Sequence, residues 1–351
     1  MRSRVISNVL VVIAALFPAL HVFAQISSPA DPPISSSIST LHVGTSLTLV
    51  DVIAEHPSGK LHGRELVSGL KQADFRLFDN DHEVAIQSLN VASDAEHTVR
   101  PIALWIVVQC NMGGPIGYAS AYMRGKTHWL IPGLSALQPM DVVGVAHWCD
   151  NGEVKLDALP SADKAFALST VETILKAAAV DGQSREGEIA LQKLFYDALA
   201  ATESMTSKHL PVFLFLYGDH SATYRTEAEN IIGSLLGSSG LVFGLTEQGS
   251  ETNLSENLGD AGQVSHLIHH YASETGGQYL SASKPELLAS ALAYMLAEVH
   301  HRYVVGFKPA KLDGKRHSLR VELTKDARKT YADPELRFRD QYIPTKHSLN
   351  E

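Results

Sequence analysis

The chain has 351 residues, of which 45% are hydrophobic, and its formal net charge at pH 7 is −9. This length and composition predict packed cores in about two domains rather than a disordered chain. The acidic balance disfavours nucleic-acid binding, because proteins neutralise phosphate backbones with an excess of lysine and arginine. Since only two cysteines occur, a disulfide-stapled miniprotein and a four-cysteine zinc site are both excluded.

The first 24 residues have the pattern of a secretory signal peptide. Arg2 and Arg4 give a positive start, Val9 to Leu20 form an apolar core, and Val22-Phe23-Ala24 is a small-residue cleavage site. The apolar run is shorter than the roughly 20 residues that a membrane span needs. We therefore expect export to the periplasm or the extracellular space, with a mature chain that starts at Gln25 and has no membrane span.

The remaining chain changes its pattern several times. Its segments are a Ser- and Pro-rich flexible leader (25–42), a strand-rich segment with an Asn80-Asp81 turn (43–97), short apolar strands alternating with helices (98–301), further strands (302–344) and a tail (345–351). Apolar strands alternating with helices predict a parallel sheet covered on both faces. The predicted fold is therefore α/β: a doubly wound, mostly parallel, Rossmann-like sheet, with a smaller β-sandwich domain formed by the N- and C-terminal strands.

The two cysteines each follow a predicted strand of the α/β region. Cys110 comes after the strand Ile102 to Val108, and Cys149 comes after the strand Val142 to Trp148. Export permits a disulfide between them, but bridges between neighbouring parallel strands are geometrically awkward. A Cys110–Cys149 disulfide and a pair of buried free thiols therefore both remain open.

Several motifs stand in a fixed order along the chain. They are Leu49-Val50-Asp51-Val52, the Gly69-Leu70 to Asp79 segment with Asp74-Phe75 inside it, Phe195-Tyr196-Asp197-Ala198-Leu199, Glu274-Thr275-Gly276-Gly277-Gln278-Tyr279, and Tyr303 to Pro309. This order resembles the VWFA-related domain family of exported acidobacterial proteins, a von Willebrand factor type A-like family. The resemblance covers about 300 residues, from Thr45 to Pro344.

The resemblance implies a site at the carboxyl edge of the sheet, where the family holds a divalent ion. The family pattern is Asp-x-Ser-x-Ser after the first strand, a loop threonine, and an aspartate after the fourth strand. In this chain these positions fall on Gln109, Asn111, Gly113, Lys193, and Tyr217 or Gly218, with Asp219 displaced by a residue or two. A hard cation needs at least one well-placed anionic oxygen. We therefore expect a degenerate site with no bound metal and no cofactor.

These observations predict a non-enzymatic module that binds a protein or cell-surface ligand through Gln109, Asn111, Gly113, Tyr217 and Asp219, with Lys193 supplying a positive charge. Two other interpretations stay open. The same side chains could merely satisfy loop backbone groups, or the protein could be a structural scaffold in envelope assembly.

Two enzyme-like or metal-like signals are weaker. A hydrolase is disfavoured because Gly218-Asp219-His220-Ser221-Ala222 lacks the spacing of a nucleophile elbow. His266 and His270 have the i, i+4 spacing of zinc ligands, but the pair is more typical of a solvated helix face.

Overall fold

The computed structural model describes residues 47–56, 65–91, 101–109, 127–149, 153–176, 185–205, 209–216, 223–247, 263–264, 267–282 and 284–344. All of them belong to one compact unit, Thr45–Glu351. The predicted signal peptide, leader and tail lie outside the described residues, and the domain boundaries stay predictions.

The described residues form seventeen strands, seven α-helices and two 3₁₀ turns, Gln72–Asp74 and Thr127–Trp129. The strands are β1 (Thr48–His56), β2 (Glu65–Leu66), β3 (Phe75–Asp79), β4 (His82–Val84), β5 (Ile86–Val91), β6 (Ile102–Gln109), β7 (Val142–Trp148), β8 (Val154–Ser161), β9 (Leu210–Leu216), β10 (Thr223–Tyr224), β11 (Leu241–Glu247), β12 (Gln263–Val264), β13 (Tyr279–Ala282), β14 (Tyr303–Phe307), β15 (His317–Leu323), β16 (Glu335–Phe338) and β17 (Gln341–Tyr342). The helices are α1 (Leu130–Leu134), α2 (Lys164–Lys176), α3 (Arg185–Glu203), α4 (Arg225–Ser238), α5 (Leu267–Thr275), α6 (Pro285–His300) and α7 (Lys325–Thr330).

The largest sheet has six strands in the order β13-β11-β9-β6-β7-β8. Its first five strands are parallel, and β8 joins the edge in the antiparallel sense. Every other strand pairing in the described part of the chain is antiparallel. The predicted mixed α/β class is therefore confirmed, whereas "mostly parallel" does not describe the chain as a whole.

Helices cover both faces of this six-stranded sheet because its strands are apolar on both sides. Successive side chains of a strand point to opposite faces. On one face Leu104 and Ile106 of β6 pack in one buried cluster with residues of α1, α2 and α6. On the other face Trp105 and Val107 pack with Phe195 and further residues of α3, α4 and α5.

The end of α5 lies directly against the backbone of β11. The helix ends at Thr275, and Gly276 follows with a positive φ of 80°, the usual conformation of a helix-terminating glycine. The Gly277 amide then donates to the Ala272 carbonyl at 2.9 Å. The Thr275 hydroxyl accepts the Val242 amide at 3.0 Å, so helix and strand share hydrogen bonds at this point.

Strands from both ends of the chain form two further sheets. One has the order β16-β1-β14-β5, with β2 also on β1, and the other has the order β17-β15-β3-β4. Val52, Leu77, Tyr303 and Val321, which come from both sheets, belong to one buried apolar cluster. The predicted turn at residues 80–81 is confirmed, since both residues have positive φ and connect β3 to β4.

A buried polar cluster joins α6 to the sheet that contains β1 and β16. Glu298 is fully buried, and Arg337 Nη2 lies 2.6 Å from its Oε1, which also accepts from Gln278 Nε2 at 2.9 Å. Glu55 is 1% exposed, and its Oε2 accepts from the Tyr294 hydroxyl at 2.7 Å. Burial raises the pKa of Glu298 to about 7, with the Glu55 charge adding to the rise and Arg337 opposing it.

Candidate functional site

The strand order of the six-stranded sheet reverses at β6, because β7 lies on one side of it and β9 on the other. The connection from β6 to β7 passes α1 on one face, whereas the connection from β9 to β11 passes α4 on the other face. Since β6 and β9 are neighbours, the chain leaves their carboxyl ends in opposite directions. Such a switch point leaves a crevice at the carboxyl edge of a doubly wound sheet.

The strand register places the carboxyl ends of β6 and β9, after which the predicted positions follow in the chain, side by side. Gln109 is the last residue of β6, and Val108 is paired with Leu216, the last residue of β9. Tyr217 follows Leu216 directly in the chain. The side chain of Gln109, together with Asn111, Gly113, Tyr217, Gly218 and Asp219, lies outside the described residues, so their contacts stay a prediction.

Lys193, the residue predicted to supply a positive charge, lies on a helix, whereas the family's threonine lies in a loop. It is the ninth residue of α3, which begins at Arg185, so it lies about 12 Å along the helix axis from that start. Its ammonium forms an ion pair with Asp197, one turn further on, and its side chain is 63% exposed. Its predicted role in the site stays a prediction.

His147 and several acidic side chains form a cluster near the same edge, which the sequence patterns did not indicate. His147 Nδ1 of β7 is 2.6 Å from Asp157 Oδ2 of β8, and its Nε2 is 3.7 Å from Glu153 Oε1. The ligand atoms of His147, Cys149 and Glu153 lie within 4.8 Å of one another. Cys149 is disulfide-bonded, however, so its sulfur is not available as the thiolate that a metal would need.

The bonded state of Cys149 leads to a first prediction. Because Cys110 is the only other cysteine of the chain, we propose that the two form the bridge. Closing a loop of about 40 residues restricts the unfolded chain, so Cys149→Ser should lower the free energy of unfolding by about 2–4 kcal/mol. Urea unfolding with and without a reductant measures this. Reduction should destabilise the wild type and leave Cys149→Ser unchanged, and a bridge-linked dimer in mass spectrometry would contradict the pairing.

The second weak signal of the sequence does not form a described metal site. His270 lies on α5, half-buried, with its Nδ1 at 3.9 Å from Glu274 Oε1. Its predicted companion, His266, lies outside the described residues.

None of the helices in the described ranges has the length and apolarity that a bilayer span requires.

Comparisons with other proteins give only distant likenesses. No protein-family model matches the chain, and no curated protein is similar enough to count as a match. Several similar solved structures are von Willebrand factor type A domains. One, from Catenulispora acidiphila, is 10% identical with a TM-score of 0.38, over 79% of this chain and 75% of its own.

Two others are similar at the same level. The BatB protein of Bacteroides thetaiotaomicron is 11% identical with a TM-score of 0.36, over 56% of this chain and 98% of its own. The pilus adhesin SpaC of Lactobacillus rhamnosus GG is 13% identical with a TM-score of 0.40, over 65% of this chain and 35% of its own. All three TM-scores are below 0.5, so neither the acidobacterial type nor the degenerate metal site rests on them.

Proposed function

We propose that this protein is an exported, non-enzymatic binding module that holds a protein or cell-surface ligand at the carboxyl edge of its six-stranded sheet. The observation that carries the proposal is the register of β6 and β9, which pairs Val108 with Leu216 at the switch point. Gln109 and Tyr217 each follow a member of this pair. Crevices at such points are where doubly wound sheets bind ligands.

The chemistry after β6 supports binding without a metal. From Gln109 to Gly114 the chain offers amides and backbone oxygens but no carboxylate, and a divalent cation needs anionic oxygen to replace its water. Lys193 contributes at most a flanking charge, because Asp197 already pairs with it. The ligand therefore meets Gln109, Asn111, Gly113, Tyr217 and Asp219.

Two observations support export and a non-enzymatic role. Disulfides persist in oxidising compartments, and the bonded Cys149 agrees with the predicted signal peptide. At the same edge His147 has the carboxylate partner of a catalytic base, Asp157. Nucleophilic catalysis would also require a free nucleophile in reach of that base, and the neighbouring sulfur of Cys149 is not a thiol.

The test captures ligands from an envelope extract of the source organism with the mature protein, then measures the affinity of each captured partner. Gln109→Lys should weaken binding at least tenfold, since a long cation placed at the centre of an interface costs more than about 1.4 kcal/mol. Asn90→Lys is the matched control, because Asn90 is exposed on β5, in another sheet. Lys193→Glu should change the affinity only slightly.

A chelator and a metal titration complete the test. Binding of the partner should persist in EDTA, and calorimetry with Mg²⁺, Mn²⁺ and Ca²⁺ should show no micromolar site. Micromolar binding of any of these ions would contradict metal independence. Equal affinity of Gln109→Lys and wild type for every partner would contradict the proposed face and favour a scaffold role.

A further inference from the structure

A cavity of about 540 Å³ lies beside the start of β9, at the opposite end of the strands from the proposed binding edge. The ends of α3 and α4 form one side of it, and residues around β1 and β17 form the other. Its volume falls within the range of about 300–1,000 Å³ that is typical of small-molecule sites.

The lining of this cavity is mixed, with seven apolar side chains and eight polar ones, among them His209. The apolar members are Leu47, Leu49, Leu199, Pro211, Leu236 and Ile343. Leu312 also lines the cavity and is 37% exposed. Glu203 is an exposed residue in the same lining. Among the described lining residues Arg339 is the only lysine or arginine.

Arg339 forms no direct ion pair among the described residues, although the Asp51 carboxylate lies near enough to favour its charge. Its side chain is buried, at 7% exposure. Nη1 donates to the Leu236 carbonyl at 3.1 Å and Nη2 donates to the Leu49 carbonyl. Nε has no hydrogen-bond partner among the described residues. The nearby carboxylate of Asp51 is held by Arg302, whose Nε lies 2.6 Å from it.

A buried charge without a counter-ion is costly, so buried arginines are normally paired with an anion. Burial lowers the pKa of Arg339, which shows the same cost of holding the charge out of water. An anion in the cavity would relieve this cost and use the free N–H groups. Arginine presents these groups as a planar fork that matches a carboxylate.

The number of cationic side chains and the apolar side chains of the lining together indicate the chemical class of the ligand. A phosphate dianion would call for more than one cationic partner, and Arg339 is the only lysine or arginine in the described lining. The leucine-rich walls favour an apolar body on the ligand. We propose that the cavity binds a small amphipathic carboxylate, with its carboxylate on Arg339 and its hydrocarbon tail against the leucines.

Calorimetric titration of the full mature protein with octanoate, octan-1-ol and octylammonium tests this. Octanoate should bind about 10- to 100-fold more tightly than octan-1-ol, the range expected for hydrogen bonds to a charged group. Octylammonium should bind least. Arg339→Met should remove the preference for octanoate, whereas Arg328→Met, which changes an exposed arginine, should keep it.

A second variant tests the cavity itself. A Cβ on Gly237 meets nothing within 4 Å, and Gly237 lines the cavity, so Gly237→Trp should fill the space and abolish binding of both octanoate and octanol. If Arg339→Met fails to fold, Gly237→Trp and the comparison of the three probes still test whether the cavity binds a carboxylate. Equal binding of octanoate and octanol by the wild type, or unchanged octanoate binding by Gly237→Trp, would overturn the proposal.

Discussion

Gly277→Ala is expected to lower the free energy of unfolding by more than about 3 kcal/mol, above the usual cost of overpacking a core. A Cβ at this position would overlap the carbonyl oxygen of Val242 and would lie 2.8 Å from its carbonyl carbon. The obstacle is the backbone of β11, which cannot rotate away as a side chain can. Either α5 or the central sheet would have to shift.

Urea unfolding followed by tryptophan fluorescence measures this effect. Gly237→Ala is the matched control, because its Cβ has open space and Gly237 lies in a helix. Alanine there should stabilise the protein by up to about 1 kcal/mol, since glycine is unfavourable inside helices. A Gly277→Ala protein as stable as the wild type would contradict the close contact between Gly277 and β11.

Glu298→Gln is expected to stabilise the protein at pH 8 by roughly 1–3 kcal/mol, with the gain shrinking toward pH 4.5. Burial raises the pKa of Glu298 from its ordinary 4.5 to about 7, so the folded state binds the proton more tightly than the unfolded state. The stability contributed by this group is therefore complete below about pH 4.5 and is lost as the pH rises to about 7. Glutamine keeps the neutral form at every pH.

Urea unfolding of the wild type and of Glu298→Gln between pH 4.5 and 8 measures the difference, which isolates this group from the other titrating residues. Glutamine can still accept hydrogen bonds from Gln278 and Arg337, and Arg337 stays beside Glu55. Glu335→Gln, which changes an exposed carboxylate on β16, should leave the pH dependence unaltered. A Glu298→Gln protein that is less stable than the wild type at pH 8 would contradict the assignment.

Much of the fold could be predicted because it depends on local sequence patterns. Ile102 to Val108 is a short continuous apolar run, which is typical of a strand buried on both faces, and β6 matches it to within one residue. The Asn80-Asp81 turn was evident because these residues tolerate positive φ. The edge strand β8 was missed, since Val154–Ser161 combines mixed polarity with Pro160, and an antiparallel edge has no strict pattern.

The candidate site was less predictable, because it depends on segments that are distant from one another in the sequence. Missing β8 meant that Asp157 could not be placed beside His147. The role of Lys193 in the site was inferred from a neighbouring motif, whereas its place along α3 depends on where that helix begins. The Glu298 cluster and the Arg339 cavity depend on contacts across more than 200 residues in places, as between Tyr294 and Glu55, and no local pattern reports such contacts.

The pairing of strands from both ends has a consequence for the order in which the chain folds. β1 lies between β14 and β16, and its Asp51 bonds to Arg302, 251 residues later. Closing so large a loop is slow, because its entropy is lost before the contacts are gained. During synthesis β1 must therefore wait, with apolar residues such as Val50 and Val52 uncovered, until nearly the whole chain has been made.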